Sequence, residues 1–76
     1  MIARDKIYHL AAGFVIAVIV SLIVNPIAGV FMAAVAGSAK ELYDEWSYGG
    51  FDVFDLLYTI CGGVVGSLIF TFIRSL

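Results

Sequence analysis

Three apolar segments, separated by only two short breaks, constrain this chain more than any other feature of its sequence. Of its 76 residues, 63% are hydrophobic and 13% are charged, whereas a soluble domain carries about 25% charged residues. A soluble chain of this length has too small a core to remove so much apolar surface from water. The composition therefore predicts an integral membrane protein, with one domain covering residues 1–76.

The two breaks predict where three helices begin and end. Asn25-Pro26 forms the first break, because asparagine caps a helix N-terminus and proline is tolerated at the first helical position. Residues 47–51 include two glycines and form the second break, after which Asp52 can cap the next helix. The sequence predicts an all-α, three-helix transmembrane bundle with short loops, its helices covering about residues 3–24, 26–46 and 52–74.

Small residues recur at helical spacing in the second and third segments. Gly29, Ala33 and Gly37 are four residues apart, as are Gly62 and Gly66. Such stripes let helix backbones approach closely in lipid, where burial of apolar surface gives no drive for association. We expect these stripes to pack the three helices against one another and to support a homo-oligomer.

The charges of the second segment continue its small-residue face. Lys40, Glu41 and Asp44 occupy positions i, i+1 and i+4, which share a side of a helix, and Gly37 precedes them on that side. The apolar part, residues 27–39, spans about 20 Å as a helix, less than the roughly 30 Å of a hydrocarbon core. We therefore expect these charges to lie near the membrane interface and to point inward, toward partners.

Ionisable residues also begin the other two helices, and the three sets are predicted to converge. At this end of the molecule six acidic side chains face three basic ones, an excess that calls for a cation, for protonated carboxyls or for water. We predict a divalent metal site with Glu41 as its central acid; its ligands are His9, Glu41, Asp44 and Asp55. Four further residues are predicted to complete the polar site: Asp5, Lys6, Lys40 and Asp52.

Structural roles remain open for the same residues. Asp5 and Asp52 are also suited to helix capping, and His9 to a single structural hydrogen bond. Lys40 and Asp44 can form an ion pair one helical turn apart. An internal ion network without a metal is therefore the alternative to a metal-binding site.

Several function classes find no support in the sequence. A net charge of −2 without a basic tract argues against nucleic-acid binding. The single cysteine, Cys61, excludes a disulfide within the chain and a cysteine-based metal site. The sequence contains no phosphate-binding loop, nucleophile elbow or HExxH motif, and it leaves open whether the chain is an enzyme.

The polar positions resemble, in order and spacing, those of small bacterial membrane proteins of the YfiM and VanZ-like type. They are Asp5-Lys6-x-x-His9, Gly37-x-x-Lys40-Glu41-x-x-Asp44, and Asp52-x-x-Asp55 followed by Gly62. The resemblance covers essentially the whole chain. VanZ-like proteins are associated with glycopeptide-antibiotic tolerance and the bacterial envelope, and the YfiM group with periplasmic lipoproteins. This chain lacks an N-terminal lipobox cysteine, so the resemblance implies an envelope protein without lipid attachment, from a bacterium or a phage.

Three functions are compatible with these features. The first is an envelope membrane protein whose interfacial acidic and histidine site binds a divalent metal ion or a lipid headgroup. The second is a small membrane-embedded, lipid-modifying enzyme, and the third is a holin-like membrane protein from a phage. We expect membrane lipids and further copies of the chain as partners, in a bacterial inner membrane. Three of the four Lys and Arg residues lie at the charged end, which favours a cytoplasmic position for that end.

Overall fold

The computed structural model describes residues 4–50 and 52–76, apart from the side chains of Arg4, Asp5 and Tyr48. The described residues form three α-helices and no β-strand, which confirms the predicted all-α class. The predicted start at residue 3 lies outside the described residues, and the other helix ends differ from the predicted ones by two residues at most. The helices are α1 (Arg4–Ile23), α2 (Pro26–Tyr48) and α3 (Val53–Arg74).

Local side-chain chemistry fixes both connections between helices. Asn25 caps α2 with its side-chain oxygen, which accepts a hydrogen bond from the Ala28 N–H at 2.8 Å, and Pro26 follows in the first turn. Gly49 ends α2 in a left-handed conformation with a φ of 66°, which a residue with a side chain rarely adopts. Asp52 then caps α3. Short connections of this kind keep consecutive helices antiparallel.

Glycines bring α1 and α3 into close contact, and these two helices share the most extensive interface of the bundle. A Cβ atom on Gly13 would collide with the carbonyl oxygen of Thr59, and one on Gly62 would collide with that of Leu10. Each helix therefore presents a glycine where the backbone of the other approaches. The two backbones are so close that neither position has room for a residue larger than glycine.

The small-residue face predicted for α2 is buried in the bundle. Gly29, Ala33 and Gly37 all lie at its interface with the other two helices. Glu41 continues the same four-residue spacing and is only 1% exposed. Because the small residues pack inside the bundle, the carboxylate of Glu41, at the end of the same stripe, is buried as well.

Two of the helices are long and apolar enough to cross a membrane. They are residues 6–23 and 53–74, each with a mean hydropathy of 2.0. Only 17% and 28% of the residues in these segments are buried, so large apolar side chains such as Leu22 and Phe72 remain exposed. α2 is less apolar because charged residues occupy its C-terminal part. The molecule extends 45 Å along its longest axis, close to the roughly 40–45 Å thickness of a bilayer with its headgroups.

Candidate functional site

One end of the bundle gathers ionisable side chains from all three helices, because α1 begins, α2 ends and α3 begins there. We call the set Lys6, His9, Glu41, Asp52 and Asp55 the polar cluster. Hydrogen bonds or ion pairs link its members between α1 and α3 and between α2 and the start of α3. Five of the eight residues predicted for the polar site thus lie together at this end of the bundle.

Lys6 joins α1 to the beginning of α3. Its ammonium group donates hydrogen bonds to Asp52 Oδ2, at 2.6 Å, and to Asp55 Oδ1. The other oxygen of Asp52 caps α3 by accepting from the N–H groups of Phe54, at 2.9 Å, and Asp55, at 3.3 Å. The hydrogen bond from Lys6, and then those capping bonds, hold the pKa of Asp52 below its ordinary value. Asp52 is therefore anchored as a carboxylate.

The imidazole of His9 lies between two side chains of α3. Nδ1 is 3.4 Å from the Thr59 hydroxyl oxygen, and Nε2 is 3.3 Å from Asp55 Oδ2. The Thr59 hydroxyl donates its only hydrogen to the Asp55 carbonyl oxygen, at 3.0 Å, so toward His9 it can only accept. With a hydrogen on Nδ1, Nε2 is a donor to Asp55 Oδ2 in the imidazolium and an acceptor that can bind a cation in the neutral imidazole.

Glu41 supplies a second unusual acceptor. Its Oε1 accepts a hydrogen bond from the backbone N–H of Asp52 at 2.9 Å, which fixes the orientation of the carboxyl group. Its Oε2 is buried and has no hydrogen-bond partner among the described residues. A buried polar atom left without a partner costs stability, about 1–3 kcal/mol and more when it is charged. This oxygen is therefore expected to be compensated by a bound species.

The acceptor atoms of His9, Glu41 and Asp55 lie within 4.8 Å of one another. We call these three residues the candidate cation site. Ligands at about 2.0–2.2 Å from a tetrahedral zinc ion lie about 3.4 Å apart, close to the 3.3 Å between His9 Nε2 and Asp55 Oδ2. One imidazole nitrogen and two carboxylate oxygens form a donor set that suits zinc and other divalent transition metals.

Two predicted site residues form a separate ion pair. Lys40 donates to Asp44 Oδ2 at 2.6 Å, one turn apart on α2, and Asp44 is not part of the candidate cation site. The side chain of Lys40 is 55% exposed, so the expectation that it points inward with Glu41 was wrong. The 100° rotation between neighbouring residues separates the two side chains. Asp5 was also predicted for this site, and its side chain lies outside the described part of the chain.

A cleft between α1 and α2 adjoins the candidate cation site. Its volume is about 350 Å³. His9 of the candidate cation site lines it, together with Thr59, whose hydroxyl contacts His9. The complete lining consists of Tyr8, His9, Ala12, Ile16, Ala36, Gly37, Lys40 and Thr59.

Two contributors to the site were missed from the sequence. The Thr59 hydroxyl orients His9, and the backbone N–H of Asp52 orients Glu41. The position of Thr59, one turn after Asp55 and on the same face, was a usable signal for the first. The sequence held no signal for the second contributor, because the type of a residue does not show which side chain its backbone N–H will contact.

No protein-family model, no curated protein and no solved structure matches this chain. The resemblance to the YfiM and VanZ-like proteins therefore stays a prediction.

Proposed function

We propose that this chain is a small integral membrane protein that binds a divalent metal ion through His9, Glu41 and Asp55. The observation that carries the proposal is the buried Glu41 Oε2, which has no hydrogen-bond partner in the described part of the chain. Glu41 belongs to a group of three residues, with His9 and Asp55, whose possible ligand atoms lie within 4.8 Å of one another. Acceptors crowded in this way repel one another unless a cation or a proton lies between them.

A metal ion is favoured over a purely internal ion network by the position of Lys6. Its ammonium group contacts Asp55 Oδ1 and Asp52 Oδ2. The acceptor of Asp55 that faces His9 is the opposite oxygen, Oδ2. The lysine thus neutralises charge on one side of the cluster and leaves Asp55 Oδ2 directed toward His9. Because hard cations such as Mg²⁺ prefer oxygen ligands alone, the histidine favours zinc or a related transition metal.

An enzyme is the second candidate, and the number of ligands supports it. Structural zinc sites usually have four protein ligands, whereas catalytic sites have three and keep one position for water or substrate. Three acceptor atoms form the candidate cation site here. A lipid-modifying enzyme would use that fourth position for its substrate. The holin-like alternative stays a prediction without a feature of the polar cluster to favour it.

The membrane arrangement we propose has three spans. α1 and α3 carry the two apolar segments, and α2, with 23 residues, is about 34 Å long and can cross a hydrocarbon core of about 30 Å. Its charged end would then lie at the interface, with the polar cluster, and the two chain termini on opposite sides. Self-association, a bacterial inner membrane and a cytoplasmic polar cluster remain predictions.

Thermal melting in detergent, with chelator and then with Zn²⁺, Mn²⁺ or Mg²⁺, tests the cation site. We expect zinc to stabilise the wild type by about 2.7 kcal/mol at about 100 times its dissociation constant. Glu41→Gln should fold and lose this response, since an amide is a poor metal ligand. In chelator it should melt higher than the wild type, because its NH₂ group can donate to a neighbouring acceptor. Glu45→Gln makes the same change on the exposed side of α2 and should keep the zinc response.

A wild type that melts at the same temperature with chelator and with every metal would contradict the cation site. If Glu41→Gln then still melted higher, the polar cluster would be an internal ion network in which Glu41 is poorly compensated.

A further inference from the structure

The connection between α1 and α2, at the end of the bundle opposite the polar cluster, has an apolar surface. We call residues 22–27 the hairpin tip. Its four large aliphatic side chains are between 62% and 79% exposed; they are Leu22, Ile23, Val24 and Ile27. No Asp, Glu, Lys or Arg occurs from residue 7 to residue 39. Turns that lie in water are usually built from small and polar residues, so the hairpin tip is poorly suited to an aqueous position.

The hairpin tip ends before α3 does. The hydroxyl oxygens of Ser21 and Ser67 are 3.4 Å apart, and a Cβ atom on Gly29 would lie 2.6 and 2.9 Å from them, so the three residues mark one level of the bundle. From this level α1 continues for two residues and α2 begins three residues away, which corresponds to about 3–5 Å. Arg74 lies seven residues beyond Ser67, or about 10 Å. The hairpin tip is therefore shorter than α3 by about one helical turn.

Arg74 gives the depth of this end in a bilayer. It is the basic residue in the last turn of α3, and its guanidinium group lies 5.4 Å from the centre of the Phe70 ring. Arginine side chains near the end of a membrane-spanning helix place their charge among the lipid headgroups. With Arg74 at the headgroups, the hairpin tip, about one turn deeper, lies beside the acyl chains.

The backbone of the hairpin tip is prepared for an environment without water. Among the first four residues of α2, Pro26 has no N–H group. The N–H of Ala28 donates to the Asn25 side-chain oxygen at 2.8 Å, and that of Gly29 donates to the Asn25 carbonyl oxygen at 3.1 Å. Backbone groups in contact with lipid must be satisfied within the protein, and these three positions meet that requirement.

We propose that the hairpin tip contacts the acyl chains of the leaflet opposite the polar cluster and stays beneath its headgroups, while α3 reaches water on that side. The proposal rests on the proposed membrane arrangement and refines it, because α1 and α2 then cross the hydrocarbon core without emerging from the far surface. The exposed side chains of the tip continue the lipid-facing surface of the apolar segment of α1. Lipid is favoured over a second copy of the chain, since copies associate in lipid through small residues and the tip exposes large ones.

The reaction of single cysteines with N-ethylmaleimide in lipid vesicles tests this proposal. The reagent crosses bilayers and so reaches both aqueous sides, but only a thiolate reacts, and a charged group is excluded from hydrocarbon. The native Cys61 is exposed within the apolar segment of α3, so the wild type gives the rate for a thiol that faces lipid. Val24→Cys and Ile27→Cys, each combined with Cys61→Ala, report on the hairpin tip. In the same background, Ser75→Cys after α3 and Ser47→Cys at the polar end are the matched controls.

We expect both tip variants to react as slowly as Cys61 and about tenfold more slowly than the two serine variants. In SDS all of them should react at one rate, which shows that the difference arises in the membrane. Tip variants that react as fast as Ser75→Cys, while Cys61 stays slow, would contradict the proposal and leave the three spans intact. Fast reaction of Cys61 would contradict the membrane arrangement itself. Protection of the tip that falls as the protein is diluted with lipid would identify a second copy as its partner and contradict lipid contact.

Discussion

Both ends of the bundle bury polar side chains, and they do so in different ways. At the apolar end, Ser21 on α1 and Ser67 on α3 are buried, and their hydroxyl oxygens lie 3.4 Å apart. Each hydroxyl can donate and accept, so this serine pair satisfies itself. At the polar end, the cluster contains more acceptors than donors, and Glu41 Oε2 has no partner among the described residues.

The two ends differ in whether their buried polar groups satisfy one another's hydrogen bonds. Uncharged hydroxyls between helices contribute packing and a modest hydrogen bond, and they need nothing further. Ionisable groups inside a membrane protein are costly and are kept where they bind or conduct something. The serine pair therefore needs no ligand, whereas the Glu41 oxygen without a partner among the described residues is where we propose that a cation binds.

Removal of the lysine from the polar cluster should give the largest effect. Lys6→Gln takes away the ammonium group that contacts both Asp52 and Asp55, and like charges would then face each other in a partly buried place. We expect the largest fall in melting temperature of all the variants in chelator. Zinc should restore more stability to this variant than to the wild type, because the site is then more negative.

Lys40→Gln is the matched control for that variant. Lys40 forms an ion pair within one helix and is mostly exposed, and such pairs contribute about 0.3–0.5 kcal/mol. Equal losses of melting temperature for Lys6→Gln and Lys40→Gln would contradict a special role for the polar cluster.

Acid should loosen the polar end before the apolar end. The pKa of Asp52 is lowered in the folded state, so its contribution is fully present above the unfolded pKa, about pH 4. It is lost as the pH falls through the lower, folded value. Amide hydrogen exchange between about pH 7 and pH 3 should show the first turn of α3 losing protection while residues near Ser67 keep theirs. In Asp52→Asn this difference between the ends should shrink, and an unchanged difference would contradict the role of the Lys6–Asp52 pair.

The serine pair should give the smallest effect. Ser21→Ala and Ser67→Ala should each cost about 0.6 kcal/mol, and the double variant should cost little more than one of them because the two changes remove one shared hydrogen bond. Thermal melting of the three variants in detergent measures this. The zinc response should be the same in all of them. Losses that add fully would show that the two hydroxyls act independently.

The sequence predicted the helices and the residues that meet, but not every orientation. The four-residue spacing of Gly29, Ala33 and Gly37 predicted correctly that Glu41 is buried. Glu41 follows Gly37 at the same spacing, so it lies on the helix face that packs against the other helices. The same reasoning placed Lys40 inside and was wrong, because a helical face about 100° wide does not fix which of two neighbours points inward. Partners across helices, such as the Asp52 N–H for Glu41, depend on backbone positions that spacing does not encode.

Titration with Co²⁺, followed by its visible spectrum, tests the cation site most directly, because cobalt reports the geometry and the ligands of a site that binds zinc. In detergent we expect one Co²⁺ per chain, with the spectrum of a low-coordinate site of nitrogen and oxygen ligands, and displacement by Zn²⁺. His9→Ala and Glu41→Gln should each abolish that spectrum, and Ser67→Ala should leave it unchanged. A wild type without a saturable cobalt spectrum, or a spectrum that persists in His9→Ala, would contradict a metal site at His9, Glu41 and Asp55.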